Sequence, residues 1–247
     1  MTPPLFLVED LSAATVGGTV EVLGPEARHA VTVKRLVHGE VVLVSDGRGR
    51  RVRATVTDVG RDRLALTVTE IESLPAPDPR LIVVQALPKG ERADLAVEIL
   101  TELGVDEIVP WSAARSVSQW RGADKIEKGL AKWRRTAAEA AKQSRRSRIP
   151  VVATRADTAA VAARLGACAL ALVLHEDADE ALAAVELPAS GSVLVVVGPE
   201  GGIAESELAA FTAAGARTVR LGPEVMRTST AGAAALALLA VGTGRWR

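Results

Sequence analysis

The chain has 247 residues, of which 48% are hydrophobic and 24% are charged, and this composition indicates a folded globular protein rather than a disordered one. No uninterrupted apolar run reaches about 18 residues, so the sequence predicts no transmembrane helix. The first ten residues lack a basic region and carry Glu9 and Asp10, unlike a signal peptide. A lone cysteine, Cys168, excludes an internal disulfide and a multi-cysteine metal site. We therefore expect a cytoplasmic protein without a metal or a membrane anchor.

Basic residues are concentrated in two stretches, although 30 basic and 30 acidic side chains give a formal net charge of zero. From Arg28 to Arg53 there are seven lysines and arginines against two acidic residues, and from Arg115 to Arg148 eleven against three. Such clustering on a neutral protein indicates a surface that faces a polyanion. The alternative is that these are ordinary solvated faces of helices and strands.

The N-terminal part of the chain, up to residue 72, is predicted to form a small β-barrel. Short runs rich in β-branched residues occur at residues 19–23, 40–44, 51–56 and 64–68. Turn signals separate them, such as Asp46-Gly47. One short helix is predicted over residues 26–36.

A proline-rich linker follows this predicted barrel. Pro75, Pro77 and Pro79 occupy three of five positions, which removes backbone donors and keeps the chain extended. We place the domain boundary there, with an N-terminal RNA-binding domain at residues 1–74 and a second domain at residues 79–247.

The second domain alternates predicted strands and helices. The strands are expected at residues 81–86, 107–110, 169–174, 193–197 and 218–221, and the helices at residues 93–103, 125–144, 206–214 and 229–241. This alternation is typical of an α/β fold with a mostly parallel sheet.

The strongest chemical motif is Gly198-Pro199-Glu200-Gly201-Gly202, directly after a predicted strand. Glycines at the carboxyl end of a strand let the backbone approach a ligand, and open α/β sheets bind ligands there. The spacing fits neither a dinucleotide fingerprint nor a P-loop. Alone, the motif could equally be a tight turn.

The second motif is Leu-Gly-Pro-Glu-Val-Met-Arg-Thr-Ser-Thr-Ala at residues 221–231, which also leads from a strand into a helix. Ser229 or Thr230 is predicted to cap that helix. Arg227 lies at the positive end of the helix dipole and so needs an anionic partner. The two candidates are a structural ion pair with Glu200 and negative charge on a substrate.

A third strand end carries His175, which follows the apolar run 172–174. The three strand ends could converge on one pocket. On its own, a histidine at such a position is more often a surface residue than a catalyst.

With these motifs, the chain resembles the SPOUT superfamily, and more narrowly the 16S rRNA uridine-N3 methyltransferase (RsmE) family. Further matches run through almost the whole chain, and jointly they are specific. They are Arg28-His29, Lys34-Arg35-Leu36, Pro88-Lys89-Gly90, residues 101–105, Arg115-Ser116-Val117, Glu139-Ala140, residues 143–146 and Pro150.

The resemblance implies a PUA-like β-barrel, a SPOUT-type α/β domain with a trefoil knot, and a homodimer. It implies S-adenosylmethionine as cofactor and 16S rRNA in the small ribosomal subunit as partner. The implied cofactor contacts are Leu174, His175, Gly198, Glu200, Gly201, Gly202, Leu221, Gly222, Met226, Thr230 and Ala231. The expected RNA contacts are Arg28, His29, Lys34, Arg35, Arg145 and Arg146.

Methylation at uracil N3 requires the N3 proton to leave, which a base or a cation beside the uracil anion would assist. Arg227 is expected to orient or stabilise the uracil, and Glu200 is the candidate base. Two other functions stay open: the same enzyme fold acting on another RNA such as tRNA, and a non-catalytic RNA-binding assembly factor.

Three positions depart from the family pattern. Ile203-Ala204 stands where the family often has Phe-Ser, although Glu205 and Glu207 still favour the start of the following helix. Ser229 stands in place of a glutamate, which argues against an acid-base role for that position. Ile99 replaces a lysine, so no catalytic role is assigned there.

Overall fold

The computed structural model describes residues 3–246, which divide into two compact units. The first unit comprises residues 3–76 together with Ala141–Ile149, and the second comprises Pro77–Ala140 and residues 150–246. No sequence pattern predicted that the segment Ala141–Ile149 would group with the first unit. Within residues 3–246, no helix is both long and apolar enough to cross a membrane.

The first unit is built on a five-stranded sheet in the order β1-β3-β4-β5-β2. Its strands are β1 (Leu5–Leu7), β2 (Thr19–Leu23), β3 (Val41–Ser45), β4 (Arg50–Val59) and β5 (Arg63–Ser73). Only the β1–β3 pair is parallel. Alternate residues of the long strands are buried, as in the intermediate-and-buried pattern of β4, and they form the core of this unit.

The helical segment of the first unit differs from the single helix predicted over residues 26–36. It consists of α1 (Gly24–Arg28) followed directly by a π-helix (His29–Val33). The hydroxyl of Thr32 donates to the carbonyl of Arg28 at 2.5 Å, and such back-bonding loosens an α-helix. The wider turn is closed by the N–H of Lys34, which donates to the carbonyl of His29 at 3.1 Å.

The second unit confirms the predicted α/β fold. Its six-stranded sheet is parallel throughout and has the order β11-β9-β10-β6-β7-β8. The strands are β6 (Arg80–Ala86), β7 (Glu107–Trp111), β8 (Val151–Val152), β9 (Leu170–Leu174), β10 (Ser192–Val197) and β11 (Arg217–Val219). The helices are α2 (Arg92–Glu102), α3 (Ala123–Gln143), α4 (Thr158–Gly166), α5 (Glu205–Ala213) and α6 (Thr228–Gly242), with a 3-10 turn at Leu182–Ala184.

The strand order places a topological switch at the centre of this sheet. From β6 the chain moves outward through β7 and β8. It then crosses to the other side of β6 to form β9, returns to form β10 between β9 and β6, and ends with β11 at the far edge. The carboxyl ends of parallel strands meet at one edge, and ligands bind such sheets in the crevice beside the switch. The fold therefore predicts the functional site beyond the ends of β6, β9, β10 and β11.

Besides the 3-10 turn, three elements were not predicted from the sequence. β1 and β8 are only three and two residues long, too short for a periodic pattern. α4 was also missed, although it has an ordinary N-cap: the side chain of Asp157 accepts a hydrogen bond from the N–H of Ala160 at 2.9 Å.

Candidate active site

A cavity of about 1030 Å³ lies in the second unit, where the fold predicts a ligand site. Five strand ends contribute to its lining, from the segments that follow β6, β7, β9, β10 and β11, together with the start of α6. The three strand ends singled out in the sequence are thus brought together in space.

The glycine-rich loop after β10 forms one wall of the cavity with bare backbone. Gly202 has a φ of +73°, which L side chains rarely adopt. A Cβ on Gly201 would lie 3.1 Å from both the Cβ and the carbonyl oxygen of Arg115. Gly201 is therefore also required for the close packing of this loop against the segment around Arg115.

Glu200 joins the glycine-rich loop to the segment after β6. Its carboxylate accepts a hydrogen bond from the backbone N–H of Lys89 at 3.2 Å, and the side chain lies in an exposed position. The carboxylate therefore links two walls of the cavity.

A second glutamate, Glu207, fixes the loops behind the cavity. It is only 4% exposed and accepts hydrogen bonds from the N–H of Ala114, the hydroxyl of Thr158 and the N–H of Ala204. The bond to Ala204 is half of a capping box, so Glu207 compensates for the missing serine at the start of α5.

His175 is held at the end of β9 by local hydrogen bonds. Its backbone N–H donates to the carbonyl of Val219 at 3.0 Å. Its Nδ1 accepts from the N–H of Asp177 at 3.3 Å. The imidazole is thus oriented by its own turn, and the residue lines the cavity.

The start of α6 differs from the prediction that Ser229 or Thr230 caps it. The N-cap is Arg227, without a side-chain capping bond, because the helix already begins at Thr228. Ser229 and Thr230 consequently lie inside the first turn. The hydroxyl of Thr230 donates back to the carbonyl of Arg227 at 3.2 Å, whereas the buried Ser229 hydroxyl has no partner in the described part of the chain.

Arg227 is exposed and lines the cavity. Among residues 3–246 it forms no ion pair, and the structural pair with Glu200 that the sequence left open is not formed. Because the guanidinium is solvated, it needs no partner in the apo fold. Its charge is available to a group that enters the cavity.

The predicted cofactor residues fall almost entirely on this cavity. All of them except Thr230 belong to its lining. The lining also includes four basic residues that were not among the predicted site residues, namely Lys89, Arg92, Arg115 and Arg220. The position of Lys89 just after a strand end could have identified it, because the other site segments occupy equivalent positions.

The predicted RNA-binding residues all belong to the first unit. Arg35 and Arg145 are the only non-glycine residues with positive φ in the described chain, at 54° and 56°. Arg145 follows α3 in a Schellman motif, in which its N–H donates to the carbonyl of Lys142 at 3.1 Å and the N–H of Arg146 donates to Ala141 at 2.9 Å. Glycine is favoured at that position, so arginine there carries a conformational cost.

Two other chemistries find no support in the described residues. Within residues 3–246, no group of three His, Cys, Asp or Glu side chains could hold a metal ion. Burial raises the pKa of the Cys168 thiol, which disfavours the nucleophilic thiolate.

Comparison with known proteins defines the class to which this fold and cavity belong. A family model described as an RNA methyltransferase domain matches residues 75–240, and one described as an RNA methyltransferase PUA domain matches residues 22–69. The first match covers the parallel sheet with its cavity and the second covers most of the five-stranded sheet. The class is therefore that of RNA methyltransferases with a PUA domain.

Full-length relatives narrow this class. The chain is 46% identical to ribosomal RNA small subunit methyltransferase E of Mycobacterium bovis, over 100% of this chain and 94% of the relative. It is 30% identical to the Bacillus subtilis protein of the same name, over 91% of each. A crystal structure of the Neisseria gonorrhoeae enzyme bound to S-adenosyl methionine has a TM-score of 0.85 at 27% identity, covering 97% of this chain and 98% of that one. The chain belongs to the ribosomal RNA small subunit methyltransferase E family.

Proposed function

We propose that this protein transfers a methyl group from S-adenosylmethionine to N3 of a uridine in 16S rRNA of the small ribosomal subunit. The observation that supports this most strongly is the cavity at the switch point of the sheet, where a glycine-rich loop and an unpaired Arg227 line the same space. The expected cytoplasmic location follows from this substrate.

The cavity residues fit the proposed cofactor. A volume of about 1030 Å³ is at the upper end of ordinary small-molecule sites. A Cβ on Gly222 would meet only the Glu224 carboxylate, at 3.6 Å, so this stretch of wall offers bare backbone beside open space. When bound, S-adenosylmethionine supplies an electrophilic methyl group on its sulfonium. Backbone groups would hold it at Leu174, Gly198, Gly201, Gly202, Leu221 and Met226.

Arg227 is proposed to act on the target base. Loss of the N3 proton leaves negative charge on the uracil ring, and a fixed cation beside it stabilises that charge as it develops. The guanidinium is exposed at the cavity and has no partner among residues 3–246, so it is free to take this role. Glu200 is the candidate base, although its bond to Lys89 already gives it a structural role.

RNA binding is proposed for the basic residues of the first unit, namely Arg28, His29, Lys34, Arg35, Arg145 and Arg146. The left-handed backbone of Arg35 and Arg145 supports this proposal. Backbone strain of this kind concentrates at functional positions, where a side chain is needed that glycine cannot supply.

We propose that the second unit also contains the trefoil knot of the family.

A homodimer is proposed on the basis of α6. Its Leu238 and Val241 are 39% and 60% exposed, and Trp246 just beyond the helix is 44% exposed. These side chains border an apolar depression of about 480 Å³ that a second subunit would cover. Sedimentation at micromolar concentration tests this directly, because a stable monomer of 25.7 kDa would contradict it.

The substrate is tested by mapping modified nucleotides in 16S rRNA from a strain in which the gene is deleted. Mass spectrometry of the rRNA fragments should show the loss of one 3-methyluridine, and the gene supplied in trans should restore it. A full set of modifications in the deletion strain, or the loss of a modified nucleotide from tRNA alone, would refute the proposed substrate.

A further inference from the structure

Gln85 is a buried amide in a strand that is otherwise apolar. It is the sixth residue of β6, Arg-Leu-Ile-Val-Val-Gln-Ala, and it is 1% exposed. Burying an amide costs stability unless its polar atoms are hydrogen-bonded. The contacts of Gln85 therefore indicate what the amide does.

One side of the Gln85 amide holds the start of α6. Its Nε2 donates to the carbonyl of Thr228 at 3.2 Å and to the carbonyl of Ala86 at 3.0 Å. Thr228 is the first residue of α6 and directly follows Arg227. The amide is thus a direct link between the central strand and the segment that carries the cavity arginine.

The other side of the amide lies against the end of the same helical turn. A Cβ on Gly232 would be 3.4 Å from the Oε1 of Gln85, so the helix backbone passes close to that oxygen. Thr228 and Gly232 are four residues apart, which is about one turn of an α-helix. The amide therefore contacts both ends of the first turn of α6. These contacts restrict sliding of the turn along the helix axis and rotation about it.

The position of Gln85 in the sheet connects this helical turn to the rest of the site. Its partner in β10 is Val197, the residue directly before Gly198 and the glycine-rich loop. A shift of Gln85 would therefore disturb two cavity walls at once.

Only one of the two polar atoms of the Gln85 side chain is hydrogen-bonded to described residues. Its Oε1 has no hydrogen-bond partner among the described residues. A methionine has a similar length and would fill the same space without an orphaned oxygen, so the amide is not explained by packing.

We propose that Gln85 is a positioning residue, which fixes the first turn of α6 and so places the Arg227 guanidinium at the reacting base. The proposal rests on the proposed function of Arg227. Gln85 is buried and does not line the cavity, so its effect on turnover acts through Arg227.

The test is Gln85→Met, alone and combined with Arg227→Ala, in single-turnover methyl transfer to small ribosomal subunits from the deletion strain. Gln85→Met should lower turnover by about 10- to 100-fold, the scale for a misplaced catalytic group. The KM for S-adenosylmethionine should not rise, and the melting temperature should not fall. In the Arg227→Ala background the substitution should cause no further loss, because both changes remove the same interaction.

Two outcomes would overturn the positioning role. One is a Gln85→Met enzyme with wild-type turnover, and the other is a double variant in which the two losses multiply. Wild-type enzyme that transfers no methyl group would instead refute the proposed function itself.

Gly232→Ala provides a second variant that keeps the amide. Its new Cβ would lie 3.2 Å from Val197, 3.3 Å from Leu100 and 3.4 Å from the Gln85 oxygen, which pushes the turn away from the strand. It should lower turnover without further loss when Arg227 is alanine. Unchanged turnover in both Gly232→Ala and Gln85→Asn, whose shorter amide cannot reach Thr228, would also overturn the proposal.

Discussion

The two units present their proposed functional residues in opposite ways. In the second unit, the proposed functional residues surround a cavity at five strand ends, where the bare backbone of a glycine-rich loop lies beside charged side chains such as Arg115, Glu200 and Arg227. In the first unit, four of the six proposed RNA contacts, Arg28, Lys34, Arg35 and Arg145, are exposed, and the last two of these have a strained backbone. Ligand binding in a cavity depends on its shape and on where each charge lies, whereas binding to an exposed basic surface depends on the sum of its charges.

Single substitutions in the cavity should have large and specific effects, because each occupies a fixed place. Single substitutions on the basic surface should have small effects that accumulate, because phosphate contacts contribute separately.

The largest effect is expected for Arg227→Ala. Turnover should fall by about 10²- to 10³-fold, the scale for the loss of one preorganised electrostatic donor. The affinity for S-adenosylhomocysteine and the melting temperature should hardly change, because the side chain is exposed and has no partner among the described residues. Arg61→Ala, an exposed arginine in a turn of the first unit, is the matched control. A folded Arg227→Ala enzyme with nearly full activity would refute the catalytic role of Arg227.

The next largest effect is expected for Gly222→Val. Within the protein its new side chain meets little, but it would occupy the space that we assign to the cofactor. Overpacking of about 1–3 kcal/mol corresponds to a loss of about 5- to 150-fold in affinity for S-adenosylhomocysteine, measured by calorimetry.

Gly166→Val is the control for this substitution. A Cβ there would meet only the carbonyl oxygen of Ala214 at 3.7 Å, outside the cavity. Equal cofactor affinity in wild type and Gly222→Val would place the cofactor elsewhere.

A cumulative loss is expected when Arg28, Lys34 and Arg35 are all changed to glutamate. RNA affinity should fall by roughly 10- to 100-fold at low salt, and the salt dependence should become shallower by about 0.7–0.9 per lost phosphate contact. Binding of S-adenosylhomocysteine should stay intact. Filter binding with assembled small subunits across a salt series measures both quantities, and an unchanged slope would count against this surface.

The smallest effect is expected for Arg145→Gly, and it has two opposite parts. Glycine relieves the left-handed backbone at 56°, so the free energy of unfolding should rise by up to about 1 kcal/mol. RNA affinity should fall a few-fold at most, because one phosphate contact is lost. Denaturant unfolding and RNA binding, measured on the same sample, check both parts. A lower free energy of unfolding in the variant would show that Arg145 stabilises the fold.

Much of the second unit could be predicted from the sequence because its signals are local. Buried strand segments such as 193–197 are continuous apolar runs, and the glycine-rich motif directly follows this one. The strand order could not be predicted, since each apolar run pairs equally well with several others. The resemblance to a known family supplied the rest of the cofactor site.

The features that sequence reasoning missed depend on contacts between distant residues. The segment Ala141–Ile149 joins the first unit through bonds such as that from the Ser45 hydroxyl to the Ser147 carbonyl, 102 residues away. The bond from Gln85 to Thr228 spans 143 residues. The start of α6 was misplaced by one residue, because serine and threonine favour capping positions but also occur inside the first turn.

The most direct test of the account is single-turnover transfer of labelled methyl groups from S-adenosylmethionine to small ribosomal subunits purified from the deletion strain. Nucleoside mass spectrometry then identifies the product. The account predicts that wild-type enzyme places one label per subunit on a uridine of 16S rRNA as 3-methyluridine, and that Gly222→Val and Arg227→Ala do so far more slowly. Label on another nucleoside, or no transfer to assembled subunits by folded wild-type enzyme, would contradict it.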